Sequence, residues 1–133
     1  MAHQTTRTFL RAKIHRATVT DANLNYRGSI AICRRLMALV GIEPFEMVHV
    51  NSMANGKHWE TYVIESDVEG EITLHGPPAH FFSKGDQVVI NCWGQTVFEN
   101  LIAPKVLMVD GKNYPTELLI HDFTGEVVGR REF

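Results

Sequence analysis

The chain is poor in the features that identify common chemistries on sight. It has two cysteines in 133 residues, Cys33 and Cys92, standing far apart. That composition argues against a disulfide scaffold and reads as two reduced thiols in a cytosolic protein. No apolar run is long enough to span a bilayer. "MAHQTTRTFLRAK" has no apolar h-region, so no signal peptide is expected and the cytoplasm is the expected location. There is no GxGxxG after a strand, no P-loop, no CxxC pair and no G-x-S-x-G elbow, which leaves dinucleotide, nucleotide, redox and α/β-hydrolase readings without their motifs. The seven histidines, at positions 3, 15, 49, 58, 75, 80 and 121, form no HxH or HExxH pair. From spacing, no metal is expected.

Charge of one sign is also scarce in places. Residues 1–35 carry seven Arg or Lys and one acid, Asp21, while the remainder carries six basic and fourteen acidic residues. Seven charges spread over 35 residues do not form a nucleic-acid-binding block, and neither a nucleic-acid nor a membrane partner is expected. A basic face packed beside acidic ones, or a basic pocket for a small carboxylate, fits the same distribution.

What is present is a soluble-core composition, 44% hydrophobic and 21% charged, at the length of one domain. "TFLRAKIHRATVT" (8–20) alternates, with Leu10, Ala12 and Ile14 on one strand face and Arg11, Lys13 and His15 on the other. "DANLNY" supplies turn formers before a short strand near Tyr26. "CRRLMALVGI" predicts a short helix with Leu36, Leu39 and Val40 inward and Gly41 as its stop, without an obvious N-cap. Asn55-Gly56 between β-rich runs predicts a hairpin. Its second arm puts His58, Glu60 and Tyr62 on one face and Trp59, Thr61 and Val63 on the other. "GEITLHGPPAHFF" gives a strand ending in a rigid loop, "KGDQVVINCW" a turn into a buried strand, and "APKVLMVDG" a strand closed by Asp110-Gly111. The end, "KNYPTELLIHDFTGEVVGRREF", is left open between a terminal helix and a mobile segment. These elements predict a mainly β, small closed barrel with one or two short helices, as a single domain over 1–133: a barrel at about 7–111, then a variable tail at 112–133.

"LNYRGSIAI" (24–32) raises the chemical question. On the residues alone Gly28-Ser29 is a turn, because no activating base stands beside Ser29 in sequence. One chemistry makes Gly-Ser special. The serine hydroxyl attacks the preceding carbonyl to give an ester, and elimination followed by hydrolysis leaves a pyruvoyl ketone at the new N-terminus. Glycine before the serine leaves the attack unobstructed. The ketone can form an imine with an amino acid and act as an electron sink.

"KIHRATVTDANLNYRGSIAI", "NGKHWETYVI", "HGPPAH", "KGDQVVI" and "APKVLMVDG" together resemble the aspartate 1-decarboxylase family, pyruvoyl enzymes that make β-alanine for pantothenate. The resemblance covers about residues 7–111. It implies a double-psi β-barrel assembled as a homotetramer with active sites between subunits. It implies cleavage between Gly28 and Ser29, with Ser29 becoming the pyruvoyl group and no external cofactor. Thr61 then assists self-cleavage and Tyr62 donates the proton after carbon dioxide leaves. Lys13, His15, Tyr26 and Gly76 line the substrate pocket. Two positions depart from the family: His58 stands where an arginine grips a substrate carboxylate, and His75-Gly76-Pro77-Pro78 replaces Asn-Gly-Ala-Ala. Histidine lacks arginine's always-charged fork, and both prolines lack a backbone N–H.

The expected function is therefore an amino-acid α-decarboxylase with aspartate as the default substrate. Two rival readings stay open: a paralogue acting on another amino acid or related substrate, and a barrel that does not cleave and serves in binding or regulation. A weaker idea groups His15, His58 and His75 around a metal. Whether maturation needs a helper protein is left open.

Overall fold

The computed structural model describes residues 5–25 and 28–133. Among the described residues ten strands, β1 (Thr6–Thr18), β2 (Asp21–Asn23), β3 (Ser29–Cys33), β4 (Met47–Ser52), β5 (His58–Ser66), β6 (Ile72–His75), β7 (Gln87–Val97), β8 (Lys105–Val109), β9 (Pro115–His121) and β10 (Val127–Glu132), form one mixed sheet in the order β10-β9-β8-β1-β7-β4-β5-β3-β6-β2. The fold is mainly β and barrel-like. The curl is visible in the hydrogen bonds: Thr20 N, just past a mid-sheet strand, donates to Ile72 O near the sheet's edge at 2.7 Å.

In strand β1 (Thr6–Thr18) the expected alternation holds from Ala12 to His15, with Ala12 and Ile14 fully buried and Lys13 and His15 half-buried on the opposite face. Before it, a bulge between Leu10 and Ala12 breaks the phase, so that Leu10 pairs with Trp93 and lines a cavity with Lys13, while Arg11 reaches the buried Cys92. A bulge between Ile14 and Ala17, with Arg16 at φ 59°, resets the phase so that Ala17 also turns inward. β1 pairs antiparallel with β7 (Gln87–Val97) and parallel with β8 (Lys105–Val109). The short strand expected near Tyr26 lies earlier, as β2 (Asp21–Asn23). Tyr26 itself lies outside the described residues.

β3 (Ser29–Cys33) is buried at every position, because it is flanked by β5 (His58–Ser66) in parallel and β6 (Ile72–His75) in antiparallel. It runs into helix α1 (Arg34–Val40), which buries Leu36, Met37 and Val40; Leu39 packs at the margin of the core. The helix has no side-chain N-cap. It stops at Gly41, whose φ of 77° lets its N–H return to Met37 O. β4 (Met47–Ser52) and β5 form the hairpin around Asn55-Gly56.

The C-terminal segment is neither helical nor apart from the sheet. β9 (Pro115–His121) pairs with β8, and β10 (Val127–Glu132) pairs with β9. The polar, Gly-containing turn at 122–126 allows a hairpin that alternation alone does not reveal. Asn113 is fully buried and ties this segment to the barrel. Its Oδ1 accepts from Thr18 N at 2.7 Å, and its Nδ2 donates to Thr18 O and Gly70 O, both at 2.8 Å. One core joins Ile14, Ile30, Leu36, Val50, Leu74, Ile90 and Leu107 from seven elements. Each such side chain contributes about 1.5–3 kcal/mol by leaving water.

Candidate active site

The Gly28-Ser29 pair opens a strand rather than an exposed turn. Ser29 is the first residue of β3 and is 4% exposed. The antiparallel register sets it opposite His75, the last residue of β6. Directly opposed residues project to the same side, and the Ser29 hydroxyl lies 3.0 Å from Nδ1 of His75. A histidine 46 residues away in sequence thus supplies the ring nitrogen that the local sequence lacks.

After β6 comes Gly76, with φ 80° and ψ −140°, a conformation open to glycine and closed to side-chain-bearing residues. A 3₁₀ turn, Pro77–His80, follows. A Cβ built on Gly28 would lie 4.0 Å from Pro77 Cδ, so this loop packs over the Gly-Ser pair. From Gly76 to Ala79 the loop has no backbone N–H to spare. Gly76 N–H goes to Asn23 O at 2.8 Å, the prolines have none, and Ala79 N–H returns to Gly76 O at 3.0 Å. Pro78 is buried and Pro77 exposed.

On the other side of β3, the parallel register matches Ile30 with Val63. Stepping back one residue on each strand sets Tyr62 beside Ser29, and two sets Thr61 beside Gly28. Thr61 is half-buried. Tyr62 is 38% exposed and stacks on Phe45, with ring centroids 6.1 Å apart. Ser29, His75, Gly76, Pro77, Thr61 and Tyr62 therefore gather at one end of the β5-β3-β6 ladder.

Lys13 and His15 do not join them within the ladder. They lie on β1, separated from β3 by three strands. Lys13 lines a cavity with Phe9, Leu10, Val106 and His121, a set that contains none of Ser29, Tyr62 or His75. His15 titrates below the usual histidine range, first because burial disfavours its charge and then because Lys13 and Arg16 stand near. Its Nδ1 is buried without a hydrogen-bond partner.

His58 belongs to a third group. Its Nδ1 lies 2.7 Å from Asn51 Oδ1, and its Nε2 lies 3.4 Å from Glu60 Oε1. The same carboxylate oxygen lies 3.5 Å from His49 Nε2. His15, His58 and His75 are thus dispersed over three strands, and the residues that gather around His58 are His49, Asn51 and Glu60. Spacing could not reveal them, because the hairpin register, His49 opposite Glu60 and Asn51 opposite His58, creates the cluster.

A mainly β, barrel-like chain holding a buried serine, preceded by glycine, with its hydroxyl against an imidazole is the class of molecule that fold and site define. Residues 5–116 match the model of the family described as aspartate decarboxylase, and the chain belongs to that family. It is similar to the aspartate 1-decarboxylase of Clostridium botulinum (strain 657 / Type Ba4), 41% identical over 124 residues, spanning 91% of this chain and 98% of that protein. It is also similar to the aspartate 1-decarboxylase of Bacillus cereus (strain ATCC 10987 / NRS 248), 42% identical over 125 residues, spanning 92% and 98%.

Proposed function

We propose that this chain is a self-processing, pyruvoyl-dependent aspartate α-decarboxylase, a carboxy-lyase that converts L-aspartate to β-alanine and carbon dioxide. The observation that carries the reading is the 3.0 Å approach of Ser29 Oγ to His75 Nδ1 at the buried head of β3, in a chain of this family.

The residues fit formation of the group. Gly28 has no side chain to obstruct attack, and Pro77 packs against it. Ser29 Oγ gives its proton toward His75 and bonds to the Gly28 carbonyl carbon. The peptide C–N bond breaks, and its nitrogen takes a proton, leaving an ester. Loss of the Ser29 Cα hydrogen then expels the Gly28 carboxylate, and water converts the new end to the ketone with release of ammonia. Thr61 steadies the Gly28 carbonyl during attack. The ketone supplies an electrophile for the substrate amine and a sink for the electrons left when carbon dioxide departs. Tyr62 delivers the proton that replaces the lost carboxylate. Gly76 lets the loop turn beside the site.

Lys13, His15 and Tyr26 complete the pocket in this reading, as substrate-binding residues. The same proposal has the chain assemble as a homotetramer whose sites lie between subunits. Among the described residues no helix is long and apolar enough to cross a membrane, and a cytoplasmic location belongs to the same proposal.

Denaturing mass spectrometry tests the processing. Two chains, 1–28 and 29–133, the second with a pyruvoyl end, support it. A folded chain that stays intact, alone and after exposure to a cell extract that could hold a maturation factor, refutes it and favours the binding or regulatory reading.

A second reading keeps the chemistry and changes the substrate. His58 in place of the family's arginine, and a loop with no free N–H at Gly76-Pro77-Pro78, alter two contacts to a dicarboxylate. Carbon dioxide release from a panel of amino acids separates the two, and aspartate turned over well above the rest excludes this alternative.

A further inference from the structure

We propose that His49, His58 and Glu60 form a binding site for a divalent transition-metal ion of the zinc and cobalt class. The proposal stands whether or not Gly28-Ser29 is cut. One ligand atom from each residue lies within 4.8 Å of the others. Glu60 Oε1 is 3.5 Å from His49 Nε2 and 3.4 Å from His58 Nε2. For metal bonds of about 2.0–2.1 Å, the edge of a tetrahedron is roughly 3.3–3.4 Å. These separations suit ligands converging on one ion and are long for direct N–H···O bonds.

The hydrogen bonds around the cluster point the same way. Asn51 Oδ1 is an acceptor, so the 2.7 Å contact places the ring proton of His58 on Nδ1. In the neutral ring that leaves the Nε2 lone pair facing a carboxylate oxygen, a repulsion that either a proton on Nε2 or a metal ion between the two relieves. An imidazole whose far nitrogen is held by an outer partner is how metal-binding histidines are oriented. His49 Nε2 is buried and lacks a hydrogen bond, although it points to the same oxygen. An orphaned buried nitrogen costs stability, and an ion relieves that cost.

The backbone presets the group. His49 and Glu60 are directly opposite on β4 and β5, and His58 and Asn51 are the next pair on the same face. The His49 ring is fixed between His58, edge-on at 4.9 Å, and Trp93 at 5.8 Å. Two imidazoles and one carboxylate provide three protein ligands. The exposure of His58 and Glu60 leaves a fourth position to solvent. Such a set suits an ion that keeps one exchangeable site for water or a carboxylate oxygen, rather than a closed structural centre.

Untagged full-length protein, stripped with chelator and dialysed, is titrated with Co²⁺ near neutral pH while its visible ligand-field bands are followed. The expected result is saturable binding of one ion per chain with tetrahedral bands, displaced by Zn²⁺. His49→Gln and Glu60→Gln should each weaken binding by more than about a hundredfold, and Asn51→Ala by about ten- to a hundredfold. His80→Gln, elsewhere on the surface, should leave it unchanged. Circular dichroism reports that each variant is folded, and Glu60→Gln is a surface change that leaves the sheet intact. Absence of saturable binding to folded wild-type protein, or binding that persists undiminished in folded Glu60→Gln, overturns the proposal.

Discussion

Ser29 Oγ lies 3.0 Å from Nδ1 of His75, across an antiparallel pair whose partners are 46 residues apart. Ser29→Ala should give one intact chain with no decarboxylation, since alanine cannot form the ester. His75→Ala should slow self-cleavage by about a hundredfold or more, the usual effect of losing a positioned proton acceptor. Gel analysis of freshly made protein over time reads both, and an unchanged rate in His75→Ala removes His75 from the processing step.

His58→Arg restores a fixed, always-charged fork at a position where this chain carries an imidazole. If the chain acts on a dicarboxylate there, KM for aspartate should fall by roughly tenfold, the scale of one added charge-assisted bond. Steady-state kinetics on processed enzyme measures it. An unchanged KM means that His58 does not face the substrate.

Asn113 makes three hydrogen bonds in full burial and adopts φ 63°. Asn113→Ala leaves Thr18 N–H and two carbonyls without those partners and puts alanine in a left-handed conformation. A loss of about 2–4 kcal/mol is expected in urea denaturation. A loss below roughly 0.5 kcal/mol would show that water takes over these bonds.

Arg11 holds Glu46 in an ion pair and also donates to Gly41 O at 2.6 Å. Burial pushes the Glu46 carboxyl up, but hydrogen bonds from Glu43 N–H, Cys92 and Arg11 outweigh it, and the group ends below the usual carboxylate range. A depressed acid contributes stability above its unfolded pKa and loses it as pH falls through the folded value. Wild type should therefore lose more stability on acidification below about pH 4.5 than Glu46→Gln does. Parallel acid melts of the two proteins would contradict the assignment.

The Cys92 thiol is pushed up to about 11, first by burial and then by its hydrogen bond to Glu46. Its thiolate is scarce near neutral pH, so alkylation of the folded protein at this residue should be far slower than in denatured protein. Mass mapping of iodoacetamide adducts measures the ratio, and equal rates would show that the thiol is accessible and ionised.

Local pattern carried much of the fold. The period of two is the buried face of β1 only at Ala12 and Ile14, because bulges on either side, which alternation cannot reveal, shift Leu10 and Ala17 out of phase, and Gly41 ends α1 because a left-handed residue is needed there. The Asn55-Gly56 turn falls where the β4-β5 hairpin reverses. The final segment was not legible, because strands β9 and β10 are only half covered and show weak alternation. The sequence also could not show that Ser29 has an imidazole partner, since strand register alone puts His75 opposite it.

What the sequence by itself determined is the family and many of the elements before residue 112, both written in residues close together along the chain: alternation, turn formers, and five motifs in fixed order. Tertiary structure alone decided which of the described histidines meet which partners. His75 reaches Ser29, and His49 and His58 share Glu60, because hydrogen-bonded strand register fixes cross-strand neighbours to within one residue. A shift of one position would turn each of those side chains to the opposite face.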